Sequence, residues 1–487
     1  MQPIVIKDFE KGIAPSPHEG FGDMRNLEIS KTPGVARINY ATVQSTATAD
    51  WVKWFALDTR NASIVYALGD SANVYKSTDS GATWSTVTGN NQSALGQGLL
   101  FWKAHLLVAG GNGLEALDPA TGIWHSFGSN IAADSDWHPM IHGQDDIVYG
   151  GAGRYVFTID ENPGLTFQAG TAATYTMGTA ALVLPQDYTI KCLEELGTNI
   201  YCGTYKGSVS NYSAPAAGYA DIFPWDRFSQ DPGIPIHIGE DGVHQMKNIN
   251  DVIYVAAGVK GNFYKTNGVS AEPAFSIPES IMPLAPRDFT ILMPGAMTSY
   301  QGKLFTGIGN STFTAAGLAG GCGVWSFKDG HLTLENIVSN GQDGNGTAYL
   351  RIGAIQIVNS NTYLISWNYG GVSWGIDRIS TTRYTNYQAY FESQFVQIGS
   401  KSQPIPLSEV EFKLAKPMTT GQGVRIKYRT DLNADFTTHN TYDFATYGAI
   451  SGYTDSFGVT TDGGIQMRAE LTTSGTTTVD FVELILR

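Results

Sequence analysis

One hydrophobic strand pattern, closing on glycine, recurs seven times along this chain. The copies read IVYALG at 64–69, LLVAGG at 106–111, IVYGGAG at 147–153 and NIYCGTYKG at 199–207. They continue as VIYVAAG at 252–258, KLFTGIG at 303–309 and the more divergent TYLISWNYGG at 362–371. Gly69, Gly110, Gly150, Gly203, Gly258 and Gly307 stand 41, 40, 53, 55 and 49 residues apart. Units of roughly 40–55 residues with about four strands each are the size of β-propeller blades. One such small sheet cannot bury both faces, and packing neighbours face to face around an axis solves that. Glycine and alanine beside each hydrophobic run let the blades converge. A β-helix repeat is shorter, and a single β-sandwich would not recur at this period. The spacing predicts an all-β chain built on a β-propeller, with seven as the expected number of blades.

Composition agrees. Charged residues are 15% of the 487 positions, against about 25% in an average domain. The 56 glycines, 24 tyrosines and 22 phenylalanines suit short strands joined by tight turns. A hydrophobic share of 42% excludes a disordered chain. The net charge of -14 argues against a general phosphate-gripping nucleic-acid binder. No apolar run approaches the ~18–20 residues of a membrane helix. The start MQPIVIKDFEKGIAPSP has no basic segment followed by an apolar one, so no secretory signal is expected. Cys192, Cys202 and Cys322 make no disulfide framework. Cys192 and Cys202 flank a turn at 197–199 and read as ordinary buried thiols, with a disulfide as the second reading.

One blade carries a specific local motif. Ser77-Thr78-Asp79-Ser80-Gly81-Ala82-Thr83-Trp84 fits S-x-D-x-G-x-x-W at every fixed position. Ser77 and Asp79 can hydrogen-bond turn backbone, Gly81 supplies a conformation that a Cβ resists, and Trp84 can pack between sheets. The segment resembles the Asp-boxes of sialidases and other propellers, where the box is a folding device away from the active site. Residues 118–124, DPATGIW, are a degenerate relative.

The two ends differ from the repeats. Residues 1–45, with Pro15, Pro17 and several glycines, predict an extended N-terminal arm with short strands near 27–29 and 35–39. Such an arm can cross to a neighbouring subunit or close the propeller ring. Residues 46–385 are assigned to the propeller and 386–487 to a C-terminal β-sandwich. In the latter, 408–414 and 424–429 alternate strictly, with further strands at 465–471 and 479–486. The start, through Gly12, Ile13, Ser16, Pro17, Gly20, Phe21, Asn26, Leu27, Glu28, Ile29, Pro33 and Gly34, resembles virion tail proteins of tailed bacteriophages. The most similar class is the tail-tube or nozzle components of short-tailed phages, although Lys11 stands where related starts often have a first glycine. The C-terminal unit resembles the small β-sandwich of phage tail and tail-fibre proteins.

Catalytic patterns are weak throughout. The early Arg-Ile-Pro signature of sialidases is missing. Asp145-Asp146, Glu194-Glu195 and Glu240-Asp241 are adjacent carboxylates, which point to opposite faces of a strand and seldom form a glycosidase pair. The segment 221–227, DIFPWDR, sets aromatics beside carboxylates as a sugar platform would, and reads first as a structural loop. His138 and His142 flank Pro139 in HPMIH, which forbids the helix of an H-E-x-x-H site. The segments 431–435 and 340–346 are incomplete calcium loops and read as hairpin turns. Arg425, Lys427 and Arg429 alternate on one strand, with Lys413 and Lys416 nearby, as on a solvated sheet face or a subunit contact. The reading therefore names no catalytic, cofactor-binding or metal residue.

The resemblance implies a non-enzymatic structural component of a phage tail, of nozzle, tail-tube or adaptor type, located in the virion. It implies assembly as a ring homo-oligomer, a hexamer being the natural guess, beside neighbouring tail proteins, with DNA only in transit. Assembly contacts are expected from Phe9, Ile13, Pro17 and Phe21 of the arm. An acidic lumen would let a polyanion pass without sticking. The alternative is a glycan-binding host-recognition propeller; a polysaccharide-cleaving glycosidase is the remaining one.

Overall fold

The fold is described from a computed structural model. It covers residues 3–13, 21–29, 32, 34–46, 48–89, 95–111, 113–127, 131, 137–161, 175–206, 220–278, 281–282, 289–311, 321–339, 349–359, 362–398 and 403–487. The chain divides into two compact units. One gathers Met1–Thr42, Trp325–Ser339 and Ile379–Arg487, the other Val43–Val324 and Asn340–Arg378.

The larger unit is a β-propeller. Five four-stranded antiparallel sheets follow one another in sequence, each in the order of its strands. Blade 1 is Val52–Leu57, Val65–Gly69, Val74–Ser77 and Ser85–Thr86. Blade 2 is Gly96–Trp102, His105–Gly110, Gly113–Asp118 and Ile123–Ser126. Blade 3 is Met140–His142, Val148–Ala152, Tyr155–Glu161 and Tyr175–Val183. Blade 4 is Tyr188–Leu196, Asn199–Lys206, Ala220–Trp225 and Ile236–Ile238. Blade 5 is Val243–Ile249, Val252–Ala257, Asn262–Thr266 and Ala271–Ser276. Two further blades lie within a larger sheet and begin at Met297–Tyr300, paired to Lys303–Asn310, and at Leu350–Asn359, paired to Thr362–Tyr369. The first strand of each blade lies against the first strand of the next, and Leu350–Asn359 lies against Val52–Leu57. The seven-membered ring is therefore closed.

Closure is made by the chain on both sides of Val52. Ser45 N–H donates to Ile376 O at 2.8 Å and Trp374 Nε1 donates to Thr48 O at 3.1 Å. Ser366 Oγ donates to Val52 O at 2.7 Å. The outermost strand of the last blade is Tyr40–Gln44, next to Ser373–Arg383. Glycine lets the blades converge as its spacing implies. A Cβ on Gly203 would stand 2.7 Å from Val243 of blade 5, and one on Gly307 2.3 Å from Ile352 of the last blade. Cys192 and Cys202 sit on adjacent strands of blade 4 but face opposite ways, Cys192 into the core shared with Val243 and Cys202 into that shared with Tyr149. Both are free thiols whose pKa burial pushes up, Cys202 to about 12.

The smaller unit is a two-sheet sandwich. One sheet orders Thr437–Asp443, Gly423–Arg429, Gly464–Thr472, Ala389–Glu392, Asp23–Arg25 and His331–Asn336. The other orders Leu27–Glu28, Ala36–Ile38, Asp480–Leu486, Ile405–Leu414 and Gly452–Thr461, with Ile4–Ile6 also paired to Asp480–Leu486. Its core is aromatic. Phe9 stacks on Phe21 at 5.0 Å and meets Phe391 edge-on at 4.8 Å, and Phe391 meets Phe481 at 5.0 Å.

The three-part division expected from sequence is redrawn here. Among its described residues, the N-terminal stretch gives the sandwich the short strands Ile4–Ile6, Asp23–Arg25, Leu27–Glu28 and Ala36–Ile38, while Tyr40–Gln44 edges the last blade. Ile13 N–H donates to Leu332 O at 2.8 Å and Asn26 N–H to Leu334 O at 3.0 Å. Residues 325–339, assigned to the propeller, group with the sandwich as well, as do residues 379–385.

Candidate functional site

The turn at 77–84 is a closed hydrogen-bond network. Ser77 Oγ donates to Asp79 Oδ1 at 2.8 Å and accepts from Gly81 N–H at 2.8 Å. Thr83 donates from its backbone to Asp79 Oδ1 at 2.9 Å and from its hydroxyl to Oδ2 at 2.6 Å. Desolvation opposes ionisation of Asp79, but these donors outweigh it and hold the carboxyl at about 2. Gly81 adopts φ +86°, and a Cβ there would stand 2.4 Å from Leu364. Trp84 is half-buried over the core between blade 1 and the last blade, with Phe55 at 6.0 Å. The related turn at 118–124 uses Asp118 to accept from Ala120 N–H at 2.9 Å and the Thr121 hydroxyl at 2.8 Å.

The arm residues go elsewhere than expected. Phe9, Ile13 and Phe21 are buried inside their own chain's sandwich, where they have no surface to offer a neighbour. Pro17 lies outside the described residues.

The adjacent carboxylates each have their own structural partners. Glu194 binds Lys247 at 3.1 Å, and burial pushes its pKa up. Glu195 and Asp145 share Arg227, Asp145 at 2.9 Å. Asp146 takes Lys103 at 2.6 Å and His142 at 2.8 Å, and Glu240 accepts from Tyr264 and Asn262 at 2.8 Å each. His138 is buried with Nδ1 on Gly151 O at 3.0 Å and Nε2 on Gly111 O at 3.1 Å, so neither ring nitrogen faces His142. The basic alternation is partnered within its own sheet. Arg425 and Lys427 both bind Glu470, at 3.2 and 2.8 Å, and Arg429 Nε donates to Gln466 at 2.7 Å. Asp431 accepts from Asn433 N–H at 2.9 Å and caps a hairpin turn.

Two further features stand out, one with no counterpart in the sequence reading and one at the segment 221–227 that it reads first as a structural loop. The first is a recurring bulge. The inner strands of blades 1, 2, 4 and 5 and of the last blade each skip one residue: Lys53, Gln97, Lys191, His244 and Gly353. A bulge re-aims a side chain out of the sheet. Here it sends Lys53 and Lys191 to one indole, with Nζ at 5.3 and 5.4 Å from the Trp137 ring. Lys53 is buried and paired with Asp70 at 2.8 Å. Lys191 Nζ lies 2.7 Å from His244 Nδ1, and burial, then the Lys191 charge, holds that imidazole well below its ordinary pKa. A neutral His244 accepts the ammonium hydrogen bond.

The second is a rigid loop between the last two strands of blade 4. Its backbone is fixed by Asp226, which accepts from Phe228 N–H at 2.9 Å and Ser229 N–H at 2.7 Å, and by Trp225 Nε1 donating to Ser229 O at 2.7 Å. Arg227 takes φ +73° and is held in it by Asp145 and Glu195. Trp225 is buried against Tyr149 at 5.7 Å, so it is no sugar platform. The same loop leaves Phe228 91% and Ile234 89% exposed. Val269, 81% exposed, sits on the equivalent connection of blade 5. Equivalent connections of consecutive blades emerge at the same end of a propeller, and the outermost strands Ile236–Ile238 and Ala271–Ser276 are in contact.

No protein-family model matches the chain, and no curated protein is similar to it in sequence. Among solved structures, it is similar to YCF48 bound to D1 peptide, with 11% identity and a TM-score of 0.46 over 75% of this chain and 100% of that one. It is similar to the Myceliophteria thermophila Cps50 (Swd1) β-propeller domain, with 8% identity and a TM-score of 0.46 over 70% and 99% of the two chains. The computationally designed Ika8 protein gives 12% identity and a TM-score of 0.40 over 73% and 95%.

Proposed function

We propose that this chain is a non-enzymatic structural component of a bacteriophage tail that assembles with copies of itself into a ring, contacting its neighbour through the rim of blades 4 and 5. The observation that carries the reading is the exposure of Phe228, Ile234 and Val269 at one end of adjacent blades. Large apolar side chains held out on a pre-ordered loop cost little entropy to dock, and they are the kind of anchor that dominates protein interfaces. The loop's order comes from Arg227, Asp226 and Trp225, so its carboxylates serve geometry rather than chemistry. The -14 charge supports a conduit past which DNA moves without being held. The tail location rests on the resemblance of the N-terminal segment.

The test is native mass spectrometry of the purified protein beside the Phe228→Asp, Ile234→Asp double variant. The wild type is expected as a closed oligomer, and the variant as a monomer with an unchanged melt. A wild type that stays monomeric at about 10 μM, or a double variant that assembles normally, overturns the reading.

A further inference from the structure

The sandwich has an open end formed by the edge strands of its two sheets, Thr437–Asp443 and Gly452–Thr461. They follow one another in sequence through the one-turn helix Phe444–Tyr447. Alternation places Tyr453, Asp455 and Phe457 on one side of their strand. That side faces the other sheet: Tyr442 O–H and Asn440 Nδ2 each donate to Asp455 Oδ2 at 2.8 Å, and Phe457 meets the His439 ring at 5.1 Å.

Three tyrosines then step from core to solvent. Tyr442 is buried, Tyr447 is half-buried and Tyr453 is 37% exposed. Tyr442 lies 5.3 Å from each of the others, and Tyr447 and Tyr453 are 5.0 Å apart with their planes at 72°. Two rings at that angle make a corner with two walls. Asn440 Nδ2 donates to the Tyr447 oxygen at 3.3 Å, which leaves the Tyr447 phenol proton with no acceptor among the described residues. The Tyr453 hydroxyl has no hydrogen bond among the described residues either. Asp455 Oδ1 takes the Ser456 N–H at 2.9 Å and keeps a lone pair for another donor.

We propose that this corner of Tyr447, Tyr453, Asn440 and Asp455 binds a neutral carbohydrate. A pyranose has an apolar C–H face and a rim of hydroxyls that both donate and accept. Its face suits the exposed Tyr453 ring, while its rim suits the two phenol groups and the Asp455 carboxylate. Tyr442 beneath and the Asp455 network fix the walls before any ligand arrives, which lowers the ordering cost of binding. The site belongs to the sandwich unit and does not depend on the assembly reading.

Saturation-transfer NMR of the full chain tests it, with glucose, galactose, rhamnose, N-acetylglucosamine and a lipopolysaccharide O-chain fragment as probes. At least one probe is expected to bind, with Tyr453→Ala weakening it about tenfold and Tyr453→Phe changing it by under about threefold. Both variants lie at an exposed edge, and an unchanged melt confirms their fold. No saturation transfer to any probe at about 10 mM overturns the proposal, as does a Tyr453→Ala variant that binds like wild type.

Discussion

The propeller and the sandwich are both built wholly of strands, but they meet the problem of a closed core in opposite ways. In the propeller, neighbours in sequence are neighbours in space. Each blade is a meander packed on the next, and the segment around Ser45 and Val52 joins the two ends of the ring. In the sandwich, the central strands come from three separated stretches. Asp23–Arg25 pairs with Ala389–Glu392 on one side and reaches Leu334 on the other. The lesson is energetic. Deleting a terminal segment from a meander costs one interface, whereas deleting one from an interleaved sandwich removes the middle of a sheet.

Removing residues 1–25 gives the largest expected effect. The sandwich loses Phe9, Ile13, Phe21 and Met24, all buried, and the strand Asp23–Arg25 between its neighbours. Limited proteolysis read by mass spectrometry should find residues 386–487 digested. A protease-resistant C-terminal fragment would show that the arm is dispensable, and would break the contrast.

A single change should show the same dependence more gently. Phe391→Ala is expected to lower the stability of the sandwich by about 3–5 kcal/mol, because the ring is fully buried among three other phenylalanines. The reading is a urea melt followed by near-UV circular dichroism; a midpoint unchanged within error would contradict it. Trp84→Ala in the propeller is expected to cost less, about 2 kcal/mol, since Trp84 is only half-buried. A larger loss than that from Phe391→Ala would reverse the ranking of the two regions.

The smallest effect is electrostatic. Asp79 has its carboxyl depressed to about 2 from an ordinary 3.8. A depressed carboxylate adds stability that is present above its unfolded pKa and fades as pH falls through the folded one. The Tm difference between wild type and Asp79→Asn should therefore be largest above about pH 4 and shrink toward pH 2. A difference that grows on acidification would mean that the Ser77 and Thr83 bonds favour the protonated acid.

These contrasts explain what could be read from residues alone. The strand pattern ending at Gly69, Gly110, Gly203 and Gly258 was legible because a repeated local fold imposes a repeated local sequence. The role of Phe9 and Phe21 was not. Phe9 lies in a single short helical turn and Phe21 just before a three-residue strand, which is too little periodicity to separate from an extended arm, and Phe391, which both rings meet, lies over three hundred residues away. The stretch 325–339 reads like any blade hairpin, and nothing local marks its grouping with the sandwich. The bulges at Lys53, Lys191 and His244 escaped for a related reason, since one skipped residue breaks the alternation that identifies a strand's faces. Side-chain burial was not legible around Asp226, where Trp225 at the strand end is buried and Phe228, three residues on, is exposed.

An electron cryomicroscopy reconstruction of the assembled particle, with this chain traced in it, decides the assembly reading. The expected result is a ring of copies in which Phe228 and Ile234 of each propeller are buried against the next subunit. A reconstruction in which both side chains face solvent, or in which the chain has no neighbouring copy, would contradict it.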